Sequence, residues 1–564
     1  MPAGESVRAL AQDYWDLVLR SDPRGATSLG DHRYDAEVED ASAAGIAKFR
    51  SAEHAILDRV AALDGRALNQ EDRLTREVLV AAIEADLDLA VCHLENWQID
   101  HLYGVQVTWA DMVSAHPLAK AQGVRDLIAR YRKAPAVFAQ YEANLDIGLA
   151  HEWVAAEVNL TRLVSQLDAM LAAPLTTSPF FPADIAKDLP SNEREALSNE
   201  LREAVQKQMM PALQGYRDFV AKKLLPKARK APGLSGLPFG VKCYTAEITN
   251  YLGEAHAPEE LHKLGLQEVD RIRAEMKILA SKAGYASIRE YAVALDKDPK
   301  QHVKTREELV AFAQRTLARA QAAVPQVIGH MPVTKIELRQ LEAYREKESP
   351  AAYYGPAPED HSRPAYYWLN TYKAETRPLF TAEALAFHEG VPGHHIQLSV
   401  AHELKDVPVF RREASAGAFV EGWALYAERL AKELGLYSSV ASEFGRLTFE
   451  LWRAERLVID TGLHAMGWSR EQAVKQLGEG VQLGEVDVAN EVDRYITWPG
   501  QALSYKVGEL EFRRLRALAE QKLGARFSER AFHDEVLCHG PLPLPILARV
   551  VERWIEMTNA EPPK

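Results

Sequence analysis

Most of the chain repeats apolar residues at intervals of three and four, with charged residues between them. This spacing puts the apolar side chains on one face of an α-helix, so that the helix can pack around a core. It predicts helices over residues 6–20, 42–64, 70–92, 121–148, 151–171, 192–224, 258–283 and 305–324. The predicted fold class is therefore mainly α.

Two segments break the helical pattern. Residues 225–241 are rich in Pro, Gly and Lys, which is typical of a connection between two halves. Residues 332–370 contain alternating apolar and polar stretches, which predict a small sheet. We therefore expect an N-terminal helical lobe over 1–235 and a second lobe over 236–564, built as one continuous fold.

Composition and charge exclude several classes of protein. The chain has 564 residues, 47% hydrophobic and 26% charged, so it can bury a large core. Its net charge of −13 argues against a general nucleic-acid binder and against attachment to anionic lipid through a basic surface. No apolar run approaches the roughly 20 residues of a membrane helix. We expect neither nucleic acid nor a membrane as a partner.

The N-terminus and the cysteines indicate a location. Met1 to Asp22 has no apolar segment of the kind found in signal peptides. Cys92, Cys243 and Cys538 are far apart and odd in number, which predicts neither a disulfide framework nor a cysteine zinc site. This usage is typical of a reducing compartment. The expectation is a cytoplasmic protein as written, or a periplasmic or secreted one if a leader was removed.

The most unusual motif places three histidines and a glutamate within eight residues. It reads FHEGVPGHHIQ and contains His388, Glu389, His394 and His395. Neutral imidazole is the commonest zinc donor in proteins. A glutamate beside it can accept the proton of an attacking water. The motif predicts a Zn²⁺ site with His388 as a ligand and Glu389 as general base.

The spacing of this motif requires a break in its helix. In a His-Glu-x-x-His helix the second histidine would stand at position 392, which is Pro392. On a straight helix His395 lies about 10 Å along the axis from His388, too far for two ligands of one ion. A break at Pro392-Gly393 would bring in either His394 or His395. The alternative is a metal-free kink flanked by capping histidines.

A second motif supplies a third candidate ligand. Glu421 precedes a glycine and a bulky apolar run, so we expect its carboxylate on a buried face, where it needs a partner. A metal ion would be such a partner, and an ion pair with Arg411 or Arg412 is the alternative. Glu428, two turns later, either supports a ligand from behind or lies on the surface.

These motifs together resemble a known family. His388 to Gln397 and Glu421 to Glu428 are similar to the bacterial proteins catalogued as domain of unknown function 885, which are grouped with gluzincin zinc metallopeptidases. Residues 363–371, 456–469 and 494–508 carry the same resemblance, which is strong from about 240 onward. We expect a two-lobed helical ellipsoid with a deep central channel, a small sheet beside the metal-binding helix, and a metallopeptidase-like catalytic lobe over 236–564.

A further resemblance concerns the second ligand. The region from His395-Ile-Gln to Glu421 is similar to dipeptidyl carboxypeptidases of the angiotensin-converting type, including a Pro-Val and an arginine pair within 408–412. The resemblance implies His395 as second zinc ligand, with His394 as its competitor, and Glu421 as third. This sequence departs from that family by extra residues between Glu389 and His395.

Three residues are candidates for stabilising the oxyanion of a hydrolytic intermediate. Such a site needs a hydrogen-bond donor aimed at the developing charge. Tyr495 is the first candidate, because related zinc peptidases carry an Arg-Tyr pair in a late helix; Tyr505 is second and His464 third. The alternative for each is a buried polar residue whose hydrogen bonds are satisfied.

Substrate contacts are expected from cations and from an aromatic strand. Arg456, Arg494 and Lys506 would receive a terminal carboxylate, or would instead pair with Asp460, Glu491 or Asp493. Tyr366 stands on a predicted strand whose exposed edge would pair with an extended peptide, and Tyr353 and Tyr354 are expected in a loop over the cleft.

The sequence thus predicts a zinc-dependent peptidase that hydrolyses short peptides, as a carboxypeptidase or a dipeptidase. Its partner would be a small peptide or peptide-like substrate, and the sequence does not set the oligomeric state. One alternative is a zinc amidohydrolase that acts on a non-peptide amide. Another is a metal-free helical binding protein on a decayed peptidase scaffold.

Overall fold

Helices make up most of the protein. The structure is a computed structural model that describes residues 3–182, 184–341, 346, 350–357, 363–414, 416–481 and 484–560. The N-terminal helices are α1 (Ala3–Ser21), α2 (Pro23–Ser28), α3 (Ala43–Ala61), α4 (Gln70–Asp88), α5 (Leu94–Trp97), α6 (Val105–Ala115), α7 (Ala121–Ala150), α8 (Glu157–Ala172), α9 (Ser191–Ala204) and α10 (Met210–Phe219). Next come α11 (Gly240–Leu252), α12 (Pro258–Lys282), α13 (Ile288–Lys297), α14 (Arg306–Ala323), β1 (Ile336–Gln340), β2 (Ala352–Gly355) and β3 (Ala365–Leu369). The chain continues with α15 (Leu379–Glu389), α16 (His394–Glu403), α17 (Val409–Arg412), α18 (Gly417–Glu433), α19 (Val440–His464), α20 (Arg470–Gly480), α21 (Glu485–Thr497), α22 (Ser504–Leu523), α23 (Glu529–Leu537) and α24 (Leu544–Ala560). The mainly α fold class is confirmed.

The predicted helices bury their apolar stripes, and the first turns of three of them are capped by a side chain. Ser42, Asn69 and Thr305 each accept a backbone N–H of the first turn of α3, α4 and α14. The stretch predicted as 192–224 is one helical run that includes π-turns at Val205–Met209 and Val220–Leu224. One start was misplaced: α8 begins at Glu157, because Ala156 bridges to Arg229 in an extended pairing.

The hydrophobic cores divide at a different place from the predicted lobe boundary at 235. Residues between Ile99 and Leu224 build their own core, which includes Trp109 and Phe138. Helices α1, α3 and α4 instead share a core with α11, α18, α22 and α24. The apolar faces of α1, α3 and α4 therefore pack with the C-terminal half, whereas α2 and α5 contact α6 and α7.

The predicted sheet is present, in the order β1-β3-β2. β3 is the central strand, parallel to β1 and antiparallel to β2. Tyr366 pairs with Glu337 on one side and Gly355 on the other, and it is buried. The prediction that Tyr366 offers an exposed edge is therefore wrong. Tyr353 and Tyr354 lie on the edge strand β2 and not in a loop.

A disulfide corrects the prediction for the cysteines. Cys92, just after α4, is bonded to Cys243 in α11, across a sequence separation of 151 residues. Cys538 is free. The expectation of reduced cysteines is wrong for this pair, and the bond ties the shared core of the two ends of the chain together.

A cavity of about 630 Å³ opens among the N-terminal helices. Glu39, Asp100 and Tyr103 contribute to its lining. The Tyr103 ring lies 5.3 Å from Trp498, at the end of α21. The predicted central channel itself stays a prediction.

None of the described helices has both the length and the apolar character needed to cross a membrane.

Candidate metal centre

The helix that carries the histidine motif breaks as predicted. α15 ends at Glu389, a turn follows over residues 390–393, and α16 starts at His394. The indole of Trp423 donates a hydrogen bond to the Pro392 carbonyl at 3.0 Å and fixes the turn against α18. The break turns the second half of the motif back towards the first.

The turn passes so close to the end of α15 that position 393 has room only for glycine. A Cβ at Gly393 would lie 1.9 Å from the His388 carbonyl oxygen and 2.4 Å from that of Phe387. The Gly393 N–H donates to the Phe387 carbonyl at 2.9 Å. Because any side chain would push the turn away from α15, the glycine determines where α16 starts.

Two imidazoles and one carboxylate converge on a single point. The Nε2 atom of His388 lies 3.7 Å from Oε2 of Glu421, and Nε2 of His394 lies 3.6 Å from the same oxygen. These separations are too long for hydrogen bonds. Two ligands of a tetrahedral zinc ion with bonds of about 2.1 Å are themselves about 3.4 Å apart. The arrangement therefore fits a divalent ion held between the three groups.

Glu428 orients His388 from behind. Its carboxylate lies 2.8 Å from Nδ1 of His388, which leaves Nε2 facing Glu421. A carboxylate on the far nitrogen of a ligating histidine is common at metal sites. Burial lowers the pKa of His388, but Glu421 and Glu428 outweigh it and raise the value to about 9. Burial would also raise the pKa of Glu421, yet the two imidazoles hold it well below its ordinary value.

His395, which the resemblance favoured, lies outside this cluster. Its Nδ1 is 3.2 Å from the Tyr354 hydroxyl and 3.3 Å from Oγ of Ser399. Burial lowers the pKa of His395 to about 4. His394 takes the position beside His388, with the two rings nearly perpendicular at 4.9 Å. The geometry thus favours His394 and corrects the preference for His395.

Glu389 stands beside the two imidazoles. One ligand atom each of His388, Glu389 and His394 lie within 4.8 Å of one another. The backbone N–H of Tyr354 donates to Oε2 of Glu389 at 3.0 Å, so β2 fixes the direction of this carboxylate. Glu389 is therefore placed next to the candidate ion rather than on the opposite face of α15.

The alternative partners of Glu421 are engaged elsewhere. Arg411 pairs with Glu71 and donates to the His539 carbonyl at 2.6 Å. Arg412 donates to the His402 carbonyl at 3.1 Å. Glu421 also keeps 22% of its side chain accessible, although burial is the largest influence on its pKa.

A close helix crossing brings Tyr505 to the centre. α18, which carries Glu421 and Glu428, packs on α22, and a Cβ at Gly422 would lie 2.5 Å from the Cα of Gly508. The Tyr505 ring stacks on His388 at 6.4 Å with an interplanar angle of 18°. Glu421 helps to raise the pKa of Tyr505, after burial as the main cause. Tyr505 is the better placed of the tyrosine candidates.

Tyr495, the first oxyanion candidate from the sequence, is buried and hydrogen-bonded to neighbouring side chains. Its hydroxyl accepts hydrogen bonds from Trp452 at 3.0 Å and from Arg456 at 3.1 Å, and it is 1% exposed. Burial raises its pKa to about 12. Its hydroxyl supports Trp452 and Arg456, which matches the alternative of a buried polar residue whose hydrogen bonds are satisfied.

His464 and Lys506 are also held in structural networks. Nε2 of His464 lies 3.0 Å from the Tyr495 carbonyl, and its Nδ1 accepts the Leu234 N–H at 3.1 Å. Burial lowers the pKa of His464 to about 3. The Lys506 ammonium is fully buried and pairs with three carboxylates at 2.9 Å each, those of Glu268, Glu450 and Glu509. These contacts match the alternative of a buried polar residue with satisfied hydrogen bonds for His464, and for Lys506 they match the alternative of an ion pair, although with other carboxylates than expected.

Arg456 and Arg494 lie on the site wall but share a carboxylate. Arg456 pairs with Glu491 at 3.2 Å and Arg494 pairs with it at 2.9 Å. The guanidinium of Arg456 lies 4.2 Å from the centre of the Tyr505 ring. The sequence alternative of pairing with Glu491 is thus present, while the contact with Tyr505 keeps Arg456 near the centre.

The sequence analysis missed Arg453. This residue lies one helical turn before Arg456 on α19, so its side chain shares that face. Its guanidinium lies 5.8 Å from the Tyr505 ring. The spacing of the two arginines was the signal that would have found it.

Comparison with known proteins finds a family and similar solved structures whose descriptions name no activity. No curated protein matches the chain. A solved structure described as a "putative lipoprotein" from Colwellia psychrerythraea is similar at 26% identity and a TM-score of 0.92, over 99% of this chain and 100% of that one. Another, described as a "putative lipoprotein of unknown function" from Shewanella oneidensis, shares 19% identity and the fold, at a TM-score of 0.76 over 97% and 100% of the two chains. The family described as "Bacterial protein of unknown function (DUF885)" matches residues 23–551, and the chain belongs to that family.

Proposed function

We propose that the protein is a zinc-dependent hydrolase of the gluzincin type that cleaves short peptides. The observation that carries the proposal is the convergence of His388 and His394 on one oxygen of Glu421, at 3.7 and 3.6 Å. These are the separations of groups that share an ion and are longer than hydrogen bonds.

The charges around the centre also call for a cation. Glu389, Glu421 and Glu428 surround two imidazoles, so the site holds three carboxylates when both histidines are neutral. Nδ1 of His394 is buried and has no hydrogen-bond partner among the described residues. A divalent cation would offset most of this negative charge, which the few waters that fit among buried side chains cannot do.

The residues around the ion have separate tasks in hydrolysis. A bound zinc ion would polarise the substrate carbonyl and make water acidic enough to attack near neutral pH. Glu389, oriented by the Tyr354 N–H, accepts the proton of the attacking water and passes it to the leaving amine. Tyr505, stacked beside His388, donates a hydrogen bond to the oxyanion.

An extended peptide suits the edge of the sheet. β2 pairs with β3 along one side, and the Tyr354 N–H points away from β3 to Glu389. A chain lying along this edge would pass beside the general base, as in recognition by strand addition. This favours a peptide over a compact non-peptide amide.

The test is hydrolysis by the zinc-loaded protein. Mixtures of random tetrapeptides and a panel of small non-peptide amides are incubated with the wild type, Glu389→Gln and the control Glu375→Gln, an exposed glutamate. Mass spectrometry should show peptide fragments from the wild type and the control, formed at least about a hundredfold more slowly by Glu389→Gln. Equal rates for Glu389→Gln, or no fragments at full zinc occupancy, would reject the peptidase. Turnover of the non-peptide amides alone would identify an amidohydrolase.

We infer that the protein works outside the cytoplasm. The Cys92–Cys243 disulfide supports an oxidising compartment, and both similar solved structures are described as lipoproteins. Alkylation of the denatured protein, prepared from native cells without reductant, should label Cys538 and leave Cys92 and Cys243 unlabelled. Labelling of all three, together with recovery in the cytoplasmic fraction, would contradict this location.

A further inference from the structure

A buried arginine beside the candidate metal centre lacks a counter-ion. Arg453 is 6% exposed and forms no ion pair with any residue that the structure describes. Its Nε has no hydrogen-bond partner in the part of the chain that the structure describes, and its Nη1 lies 3.5 Å from the Phe449 carbonyl, at the limit of a hydrogen bond. Burying an unpaired guanidinium is costly, so a protein that keeps one at a site has a use for its charge.

Arg453 is placed next to the groups that would carry out the chemistry. Its guanidinium lies 5.8 Å from the ring centre of Tyr505, and the imidazole of His388 lies 6.4 Å from the same ring. The charges of Glu428 and Glu421 both act on it. Arg453 and the candidate ion position therefore both lie near the Tyr505 ring.

The surrounding wall has an excess of positive charge. Arg453, Arg456 and Arg494 lie within reach of the Tyr505 and Tyr495 rings, and Glu491 is the carboxylate that pairs with two of them. Nη1 of Arg456 is also buried, and none of the described residues accepts a hydrogen bond from it. Two unpaired guanidinium edges on one wall are suited to a carboxylate, which accepts two parallel hydrogen bonds from such a fork.

We propose that Arg453, with Arg456 beside it, binds the C-terminal carboxylate of a peptide whose scissile bond lies at the His388–His394–Glu421 centre. The proposal rests on the proposed function and deepens it, because it makes the protein an exopeptidase that acts at the carboxyl end of its substrate. Arg453 supplies positive charge and two hydrogen bonds to the terminal carboxylate. The peptide residues on the carboxyl side of the scissile bond lie between Arg453 and the ion.

The distances set how many residues are released. The His388 ring lies 6.4 Å from the Tyr505 ring, which lies 5.8 Å from the guanidinium carbon of Arg453. Together these two separations set an upper limit on the distance between the His388 ring and that carbon. An extended chain advances about 3.3–3.6 Å per residue, so at most about three residues fit between the scissile bond and the carboxylate. The products at the carboxyl side should be single amino acids, dipeptides or tripeptides.

A purely structural role is the competing explanation for Arg453. The carboxylate that most strongly raises the pKa of Arg453 is that of Glu428, whose Oε2 is buried and has no hydrogen-bond partner among the described residues; Arg453 would then only offset that carboxylate. Such a role predicts that loss of Arg453 affects all substrates alike. A binding role predicts that the loss affects substrates with a free carboxylate and spares their amides.

The experiment compares matched peptide mixtures on four proteins. Random tetrapeptides with a free C-terminal carboxylate and the same mixture as C-terminal amides are given to the zinc-loaded wild type, Arg453→Met, Arg453→Lys and the control Arg273→Met, an arginine on α12 that pairs with Glu455. The wild type and the control should cleave the free acids about tenfold to a hundredfold faster than the amides. Arg453→Met should lose this preference, and Arg453→Lys should keep part of it.

A binding measurement separates this proposal from the proposed function. The two mixtures are added to Glu389→Gln and to Glu389→Gln with Arg453→Met, and the shift of the melting temperature is recorded. A larger shift with free acids, lost with Arg453→Met, supports the carboxylate site even if the wild type cleaves neither mixture. Equal cleavage and equal shifts for acids and amides would overturn the proposal while leaving the peptidase in place. If Arg453→Met does not fold, Arg453→Lys decides: an undiminished preference for free acids would overturn the role of the fork.

Discussion

Replacing Glu428 by glutamine tests whether His388 is a metal ligand held from behind. Glu428 is 1% exposed, and its Oε1 lies 2.8 Å from Nδ1 of His388. Glutamine has nearly the same size and keeps a carbonyl that can accept the same hydrogen bond. The substitution therefore removes the negative charge and leaves the shape of the site in place.

The expected loss can be worked from this contact. Removing the partner of a metal-ligating histidine typically costs tenfold to a hundredfold in metal affinity. That corresponds to about 1.4–2.7 kcal/mol of binding free energy, at about 1.36 kcal/mol for each factor of ten. The loss of zinc affinity should lie towards the upper end of this range, because Glu428 is buried and water cannot replace it.

The assay is competition for zinc with a chelator of known affinity at pH 7.5. The matched control is Glu433→Gln, an exposed glutamate on the same helix α18. Zinc affinity should fall tenfold to a hundredfold for Glu428→Gln and change less than about threefold for the control. Unchanged affinity in a folded Glu428→Gln protein would refute the reasoning, because His388 would then not depend on its buried partner.

Further substitutions separate the catalytic, local and global parts of the account. Tyr505→Phe should lower kcat about a hundredfold at unchanged melting temperature. Tyr495→Phe leaves the Trp452 indole and Nε of Arg456 without this acceptor and should lower the unfolding free energy by about 1–3 kcal/mol; a loss of kcat for Tyr495→Phe and a loss of stability for Tyr505→Phe would contradict these assignments. Gly393→Ala should lower stability by about 2–4 kcal/mol and reduce zinc content, because its methyl group would lie 1.9 Å from the His388 carbonyl oxygen; an unchanged melting curve and zinc content would argue against this turn. Cys92→Ser with Cys243→Ser should lower the unfolding free energy by about 2–5 kcal/mol in denaturant titrations, and a wild type insensitive to reductant would contradict the bond.

Local patterns in the sequence were sufficient for the helices and for the break in the motif. The helical stripes depend on spacing alone, so residues 121–148 and 258–283 match α7 and α12 almost to the residue. Pro392 and Gly393 cannot continue a helix in this setting, so the break also followed from residue type. These predictions use interactions between neighbours in the chain.

The choice between His394 and His395 depends on tertiary geometry. Both histidines follow the same turn, and the direction of α16 decides which one meets His388. That direction is set by contacts far away in sequence, such as the Trp423 indole on the Pro392 carbonyl. A resemblance to a family with a different spacing pointed to His395, and the inserted turn changed the register.

The roles of the late polar residues also required the fold. Tyr495, Tyr505 and Lys506 have similar surroundings in sequence, yet one supports arginines, one stacks on His388 and one is enclosed by three carboxylates. Partners of this kind come from α12, α15 and α19, which the sequence does not bring together. The edge position of β2 is likewise a matter of strand order.

Zinc content after removal of single imidazoles tests the central claim most directly. Purified wild type, His394→Ala and His395→Ala are loaded with zinc, dialysed against buffer and analysed by mass spectrometry of the metal. The account predicts about one zinc per chain for the wild type and His395→Ala, and almost none for His394→Ala. Two results would contradict the convergence of His388, His394 and Glu421 on one ion. One is that His394→Ala retains zinc while His395→Ala loses it, and the other is that the wild type itself holds no zinc.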